Sequence, residues 1–342
     1  MKFIKKILLF ANLVLSILTL ISYLAPFVDP NSTWVLSFFG LAYPYFLLGN
    51  FIFIILWISR GSKNAFLSII VVLIGFHYIR ETFVWKKPGE KSERGVKILS
   101  YNLNQGYYLY EKKIGKGELE NYLIEKDPDI CLLQEINTSY IQEEIKGLKT
   151  LGYKLKLADM GTGIYSKYPF IKKGIIDFTM TTNSCVWGDL KVGGDTLRVY
   201  SVHFKSNQIS KQAEDIVAVM EKENKIESKN VKSILRNYKN NVQIRAEQVK
   251  KVKDHILKSP HPVIIGGDFN DPPVSYTYRE FNDFLQDAFK ERGLGFGISY
   301  LGVIPFLRID YLFVSKGIKI LEFNTDSKKY SDHYPIEAKV KI

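Results

Sequence analysis

Charge is spread along this chain so unevenly that it divides the molecule in two. The first 85 residues hold six Lys or Arg and two Asp or Glu, against 47 and 35 in all 342 residues. A stretch so poor in charge is poorly covered by water, and its apolar runs have the lengths that cross a bilayer. Residues 7–25 are 19 without a charge and residues 34–58 are 25, each enough for roughly 30 Å of hydrocarbon. Residues 65–79 are only 15; they reach a spanning length if Arg80 and Glu81 lie among headgroups and Phe83, Val84 and Trp85 anchor the boundary. The expectation is a membrane region over 1–85 with about three transmembrane helices. A cleaved signal peptide is the competing account of the first run, with Lys2, Lys5 and Lys6 as its basic start. Ala25-Pro26 is a poor cleavage site and two more apolar runs follow, which favours an anchor.

Lys2, Lys5 and Lys6 precede the first run and Arg60 and Lys63 lie between the second and third, while residues 26–33 have no Lys or Arg. Basic loops stay in the cytoplasm. Three crossings then put everything after Trp85 outside the cytoplasm, in a multi-pass protein of the cell membrane; two crossings would leave it inside. Cys131 and Cys185 both sit in apolar runs and read as small buried hydrophobes, not as a disulfide.

After a polar linker, 86–95, the chain becomes soluble in character and runs to residue 342. Removing the membrane region from the charge count leaves a net +8, which suits an anionic substrate or surface as readily as a solvated basic face. Short runs rich in Val, Ile, Tyr and Phe alternate with helical stretches over 118–126, 141–148 and a long pair over 210–258, the pattern of an α/β domain with mixed sheets. Residues 212–238 read as a charged surface insertion that caps the site or is inert. The Gly-Lys-Gly at Gly115–Gly117 lacks the spacing of a phosphate-binding loop.

Six apolar segments of this second part each deliver an acid, amide or imidazole. Residues 96–101 run into Asn102, 130–133 into Gln134-Glu135, 197–202 into His203, and Ile264-Ile265-Gly266-Gly267 into Asp268-Phe269-Asn270. Asp310 lies within 308–314, and Ser331-Asp332-His333-Tyr334-Pro335 completes the set. Strands that stop at such residues present them beyond the sheet edge, so the pattern points to one composite, metal-dependent hydrolytic site.

A phosphodiester resists attack because its oxygens repel nucleophiles and its alkoxide leaves poorly; a site must neutralise charge, deprotonate water and help the leaving oxygen. Glu135 suits a hard cation, Mg²⁺ first and Mn²⁺ second, with Asn102 as a neutral oxygen beside it. Asp268 is placed to take a proton from water, and Asn270, two residues on, to donate to a phosphoryl oxygen. Asp310 is suited to fixing the tautomer of His333, and His203 to being a second donor. Each piece alone has an ordinary reading: a surface Glu, an Asx turn at Asp268, a core imidazole at His203. Their order and shared strand-end placement favour the site.

These blocks resemble the endonuclease/exonuclease/phosphatase superfamily, also called deoxyribonuclease I-like. The matching stretches are Leu99-Ser100-Tyr101-Asn102-Leu103-Asn104, Asp129 to Glu135, Val199 to His203, Gly266 to Asn270, Ile309-Asp310-Tyr311 and Ser331 to Pro335, in the family's order. The resemblance implies a four-layer sandwich of two packed mixed β-sheets flanked by helices over 96–342. It implies metal ligation by Glu135 with Asn102 and Asp332, a base at Asp268, an orienting Asn270 and an Asp310–His333 dyad. His203 matches the deoxyribonuclease and sphingomyelinase branches, whereas the apurinic-site repair branch has Tyr, and Asn104 departs from that branch's Asn-x-Asp; DNA repair is disfavoured. Arg245 resembles an Arg-x-x-Gln element, with a solvated helix Arg as the alternative.

The substrate expected is a phosphate ester, either nucleic acid or a phospholipid or inositol phosphate. Tyr107, Tyr108, Tyr110 and the Gly-rich apolar loop over 294–307 suggest a rim that stacks bases or meets lipid, unless the loop is a buried hairpin. The rival from another class is a catalytically inactive homologue that binds a ligand or partner at the membrane. A full set of acid, base and dyad weighs against it. The sequence identifies no protein partner.

Overall fold

A computed structural model describes residues 2–85, 94–149, 153–159, 161–179, 181–208, 228–302 and 304–342. The linker over 86–95 and the insertion over 212–238 lie outside the described residues except for 94–95 and 228–238.

The charge-poor N-terminal region forms α1 (Lys2–Ser22), α2 (Val35–Ile58), α3 (Ala65–Ile74) and α4 (Phe76–Thr82). α1 and α2 are long and apolar enough to cross a membrane; α3 and α4 make a third crossing if taken as one broken span, bent by 67°. The break falls at Gly75, where a Cβ would lie 2.0 Å from Tyr23 Oη. That ring stacks on Tyr78 at 5.1 Å, so a glycine lets the helix turn around a buried aromatic. Polar side chains join the helices. Asn12 Nδ2 donates to Ser68 Oγ at 2.6 Å while its Oδ1 accepts from Trp57 Nε1 at 2.9 Å, and Asn50 Nδ2 donates to Thr19 Oγ1 at 2.8 Å. In hydrocarbon, where apolar contact gives helices little reason to associate, such bonds and close packing hold a bundle together.

The rest contains β1 (Val96–Asn102), β2 (Ile130–Gln134), β3 (Lys154–Asp159), β4 (Thr162–Ser166), β5 (Phe170–Ile176), β6 (Cys185–Val192), β7 (Asp195–His203), β8 (Val263–Asp268), β9 (Leu285–Asp287), β10 (Asp310–Ser315), β11 (Lys319–Thr325) and β12 (Ile336–Lys341). Between them lie α5 (Tyr107–Glu111), α6 (Glu118–Lys126), α7 (Ser139–Glu144), α8 (Ser228–Leu257), α9 (Tyr276–Asn282) and α10 (Ala288–Arg292). The strands form two mixed six-stranded sheets, β11-β12-β1-β2-β4-β3 and β5-β6-β7-β8-β10-β9.

Alternation along the central strands explains the layers. Ile98, Ile130 and Leu132 point between the sheets and meet Val199, Ile264 and Leu312, whereas Leu99, Cys131 and Leu133 point outward to Leu119 and Leu123 of α6 and Ile141 of α7. On the other sheet Tyr200, Val202, Ile265 and Phe313 pack under Val249, Val252 and Ile256 of α8. Both faces of each sheet are covered, which is the expected sandwich, and it is why these strands read as unbroken apolar runs. Both cysteines are buried and free. The helix expected over 141–148 is α7, capped by Thr138 Oγ1 accepting from Ile141 N at 3.3 Å, followed by a 3-10 turn at Lys146–Lys149.

The N-terminal helices and the sandwich are packed together. Asp29 pairs with Lys250 at 2.6 Å, Phe27 lies 4.2 Å under the Arg279 guanidinium, and Val84 forms a β-bridge with Gly295. At Gly40 of α2 a Cβ would meet Val274 O at 2.2 Å, and Tyr238 of α8 is buried against Trp34 and Phe38. Glu81, expected among headgroups, is buried instead; its carboxylate takes a hydrogen bond from Asn282 at 3.3 Å and an ion pair from Lys290 at 3.4 Å. Arg308, stacked 4.5 Å over Phe289 and 4.6 Å over Tyr311, donates to Asp287 Oδ2 at 2.8 Å and to the Glu81 carbonyl at 2.9 Å.

Candidate active site

β1 and β2 run parallel, as do β7 and β8, and their last residues converge. Asn102 ends β1 opposite Gln134 of β2, and Glu135 follows it. His203 ends β7 opposite Asp268 of β8, which in turn faces Asp310, the first residue of antiparallel β10. Three expected residues thus form one row across three neighbouring strands. The parallel pair closes tightly because residue 267 is Gly: its φ is 145°, and a Cβ would lie 1.9 Å from Val202 O.

Asn102 bridges the two sheets. Its Nδ2 donates to Glu135 Oε1 at 3.1 Å and to Asp268 Oδ2 at 3.0 Å, and its Oδ1 accepts from Asn104 N at 3.0 Å. It therefore meets Glu135 through nitrogen, not through the oxygen expected of a ligand. His203 Nε2 stands 3.8 Å from Glu135 Oε1 and 3.7 Å from Asp268 Oδ2. His333 Nδ1 lies 2.8 Å from Asp310 Oδ2, and its Nε2 is 3.8 Å from Asp268 Oδ2. Asn270 N donates to Asp268 Oδ1 at 2.9 Å, so the Asx turn and the site are the same structure. Asn270 Nδ2 gives one bond to Phe204 O at 2.9 Å, leaving its other proton. Asp332 lines the same cavity and accepts from Ser331 Oγ at 3.2 Å. All eight expected residues fall within one site.

Several of its non-glycine residues have left-handed backbones, among them Gln105 at φ 52°, Glu135 at φ 56° and Asn270 at φ 54°. Such strain persists where surrounding structure enforces it, commonly at functional sites. Burial pushes the Asp268 carboxyl up to about 6; the charges of His333 and His203 oppose the shift and Asp310 adds to it. Burial works against a charged His333, but Asp310 and Asp268 outweigh it and hold the imidazole well above its usual value.

The cavity measures about 400 Å³. Glu135, Asp268 and Asp332 line it, and none of the described lining residues is Lys or Arg. Such a donor set fits a hard divalent cation. Among the described residues Asp268, Asp310 and His333 also place three ligand atoms within 4.8 Å of one another, although the Asp310 contact occupies His333 Nδ1.

Some participants were not singled out by the sequence. Gln105 Nε2 lies 3.4 Å from Glu135 Oε2, and Asn207 Nδ2 donates to Asn270 O at 3.1 Å. Arg245 is buried and not solvated: its Nη1 donates to Lys205 O at 2.8 Å and Asn207 Oδ1 at 2.6 Å, and its Nη2 pairs with Asp271 at 3.0 Å. Gln248, one turn on, accepts from Lys205 N at 2.8 Å. The Arg-x-x-Gln spacing puts both side chains on one helix face, where they hold the segment after His203. Leu41 of α2 lines the cavity too, a contact no local motif signals.

A family model described as "Endonuclease/Exonuclease/phosphatase family" matches residues 99–333, and one described as "Domain of unknown function (DUF8431)" matches residues 5–82. No curated protein matches. Among solved structures, D. rerio TDP2 complexed with single strand DNA product is 19% identical, with TM-score 0.54, covering 73% of this chain and 100% of the other. The Bacteroides thetaiotaomicron VPI-5482 mannosyl-6-phosphatase is 17% identical, with TM-score 0.51 over 72% and 100%. An endonuclease/exonuclease/phosphatase from Bacteroides vulgatus is 16% identical, with TM-score 0.51 over 73% and 100%. At such identities the likeness is one of fold, the two helix-flanked mixed sheets. With more than half of its residues matched by the family model and that fold beneath them, the protein belongs to the endonuclease/exonuclease/phosphatase family.

Proposed function

We propose that this chain is a membrane-anchored hydrolase of phosphate esters that works with a divalent cation, Mg²⁺ in the first instance and Mn²⁺ in the second. The row His203–Asp268–Asp310, closed by Glu135 on one side and His333 on the other, is the observation that supports the reading. Glu135 and Asp332 would hold the ion, joined by Asn102 once its amide is turned. A bound ion neutralises phosphoryl oxygens and acidifies water.

The residues of the chain supply the rest. Asp268, held by the Asn270 N–H, accepts a proton from water. The water oxygen bonds to phosphorus, one P–O ester bond breaks, and the departing oxygen takes a proton. Asp310 accepts from His333 Nδ1–H, which leaves Nε2–H on the side of Asp268 to donate to a phosphoryl oxygen. His203 is a second donor, and the remaining amide proton of Asn270 orients the phosphate.

The same reading extends to topology. α1 begins at Lys2, Lys5 and Lys6, and Arg60 and Lys63 lie between α2 and α3, whereas Phe27 and Asp29, at the opposite ends of α1 and α2, touch the sandwich. With basic loops inside, the site lies outside the cytoplasm in a multi-pass protein of the cell membrane.

The test is to assay the full chain in detergent against DNA, RNA, phospholipids and inositol phosphates. Chelation should abolish hydrolysis and Mg²⁺ restore it, and Glu135→Gln should lower turnover by about 100-fold or more without loss of folding. Chelator-resistant hydrolysis, or an unimpaired Glu135→Gln, would remove the metal from the mechanism. Substrate binding without turnover on any ester would turn the reading to a binding protein.

A further inference from the structure

The catalytic cavity has lining of two characters. Glu135, Asp268, Asp332 and the two imidazoles are polar, and Leu41, Ile304, Leu307 and Ile309, with the ring of Tyr300, are apolar. Leu41 comes from α2, a helix long and apolar enough to cross a membrane. Part of the membrane region is thus a wall of the candidate active site.

That wall continues into the bilayer. Leu41, Tyr45, Leu48, Ile52 and Ile55 follow the i, i+4, i+7 spacing that keeps residues on one helix face. Leu41 lines the cavity and Tyr45 donates to Pro305 O at 2.7 Å, while Leu48, Ile52 and Ile55 are 55%, 56% and 69% exposed. From Leu41 to Ile52 the axial rise is about 16 Å, half of a hydrocarbon core. Beside this stripe lies an exposed aromatic belt: Phe83 meets Trp85 at 5.1 Å and Phe296 at 5.0 Å, and Phe296 meets Phe306 at 6.1 Å. Trp85, Leu294, Phe296 and Phe306 are all exposed, the arrangement of side chains that rest at a membrane boundary. The loop that carries the belt also carries Tyr300, whose ring lies 4.9 Å from that of His333.

We infer that the substrate is a phosphate ester borne on a lipid, which reaches the site from the bilayer along α2 with its acyl part against Leu41 and Ile304 and its phosphate beside Glu135, Asp268 and His333. The inference rests on the hydrolase reading for its chemistry: water adds across one P–O bond, and no oxidant or reductant is required. It differs from a nucleic-acid substrate in what the apolar lining must meet: acyl chains suit Leu41, Ile304, Leu307 and Ile309, whereas bases would have only Tyr107 and Tyr300 to stack on, and the DNA arm of the test separates the two.

The full chain, reconstituted in vesicles with Mg²⁺, should hydrolyse phosphatidic acid or phosphatidylglycerol in preference to glycerol 3-phosphate, glycerophosphoglycerol or a DNA oligonucleotide. The ratio of lipid to soluble turnover should fall by about tenfold or more in Leu41→Ala and in Ile304→Ser, the latter chosen because Ile304 is only partly buried. A phosphatidic acid with a photoactivatable acyl chain should label α2 and the 294–307 loop, even in the inactive Glu135→Gln. Soluble esters cleaved as fast as lipid, or an unchanged ratio in both variants, would overturn the inference and leave the hydrolase standing. Labelling at α2 without turnover of any ester would do the reverse, retaining the lipid seat and overturning the hydrolase. The absence of both labelling and lipid turnover would overturn the lipid seat.

Discussion

Asp268 is a residue on which several contacts at the site converge. Its two oxygens receive Asn270 N and Asn102 Nδ2, and both imidazoles stand within 4 Å. Replacing it with Asn keeps the shape and removes the proton acceptor, so single-turnover rates should fall by about 10²–10⁴-fold while substrate affinity persists. His333→Ala should lose transition-state stabilisation, and Asp310→Ala should reproduce part of that loss by freeing the ring. The Asp310→Ala/His333→Ala pair should therefore be far less than additive in a double-mutant cycle; additive losses would separate the two residues into independent roles. The candidate site residues were legible in the sequence because most of them flank apolar runs: Asn102, Glu135, His203 and Asp268 close or follow strands, and Asp310 opens one. Those that only position them were less so. Arg245 was legible as part of an Arg-x-x-Gln element but not distinguishable from a solvated helix Arg, since the backbone that it and Gln248 hold is about forty residues away in sequence. Asn102 was legible as a site residue but not as a bridge through nitrogen, which depends on where the Asn104 amide falls.

Among elements, the β7–β8 pair sets the geometry of the row. Gly267→Ala would place a methyl group against Val202 O in a backbone conformation that L side chains rarely adopt. Strain and overpacking together should cost about 2–4 kcal/mol, read as a lower unfolding midpoint in detergent, with activity lost as His203 and Asp268 move apart. A variant of unchanged midpoint and rate would mean that the strands part without consequence. The central strands were recognisable because both their faces are buried, leaving runs of Ile, Val and Leu. Breaks were harder to see. The apolar pattern of 65–79 is continuous, and nothing local marks Gly75 as the place where Tyr23, more than fifty residues earlier, turns the helix.

For the whole molecule, direction of insertion decides where the enzyme works. A reporter that needs export should be active when fused after Trp85 and inactive near Lys63; the opposite pattern would leave two spans and a cytoplasmic site. Composition divided the chain at residue 85 because charge density changes there. It could not reveal that the two parts share surfaces, since the residues at the junction, Gly40, Leu41, Val274 and Tyr238, are ordinary for a span or a core when read alone.

The Glu81 carbonyl gives that shared surface a particular meaning. It is held by Arg308, two positions before Asp310, so the end of the N-terminal helices helps to seat a strand of the sandwich. Cutting the chain before residue 96 would strip a partner from a buried guanidinium, uncover the apolar faces around Val274 and Tyr238, and loosen the dyad from a distance. The anchor is then less a tether than a missing layer of the fold, and an unrelated transmembrane helix should not replace it. Residues 96–342, free or fused to such a helix, should turn over a water-soluble phosphate ester about tenfold or more slowly per site than the full chain. Equal rates would return the membrane region to the status of a leash.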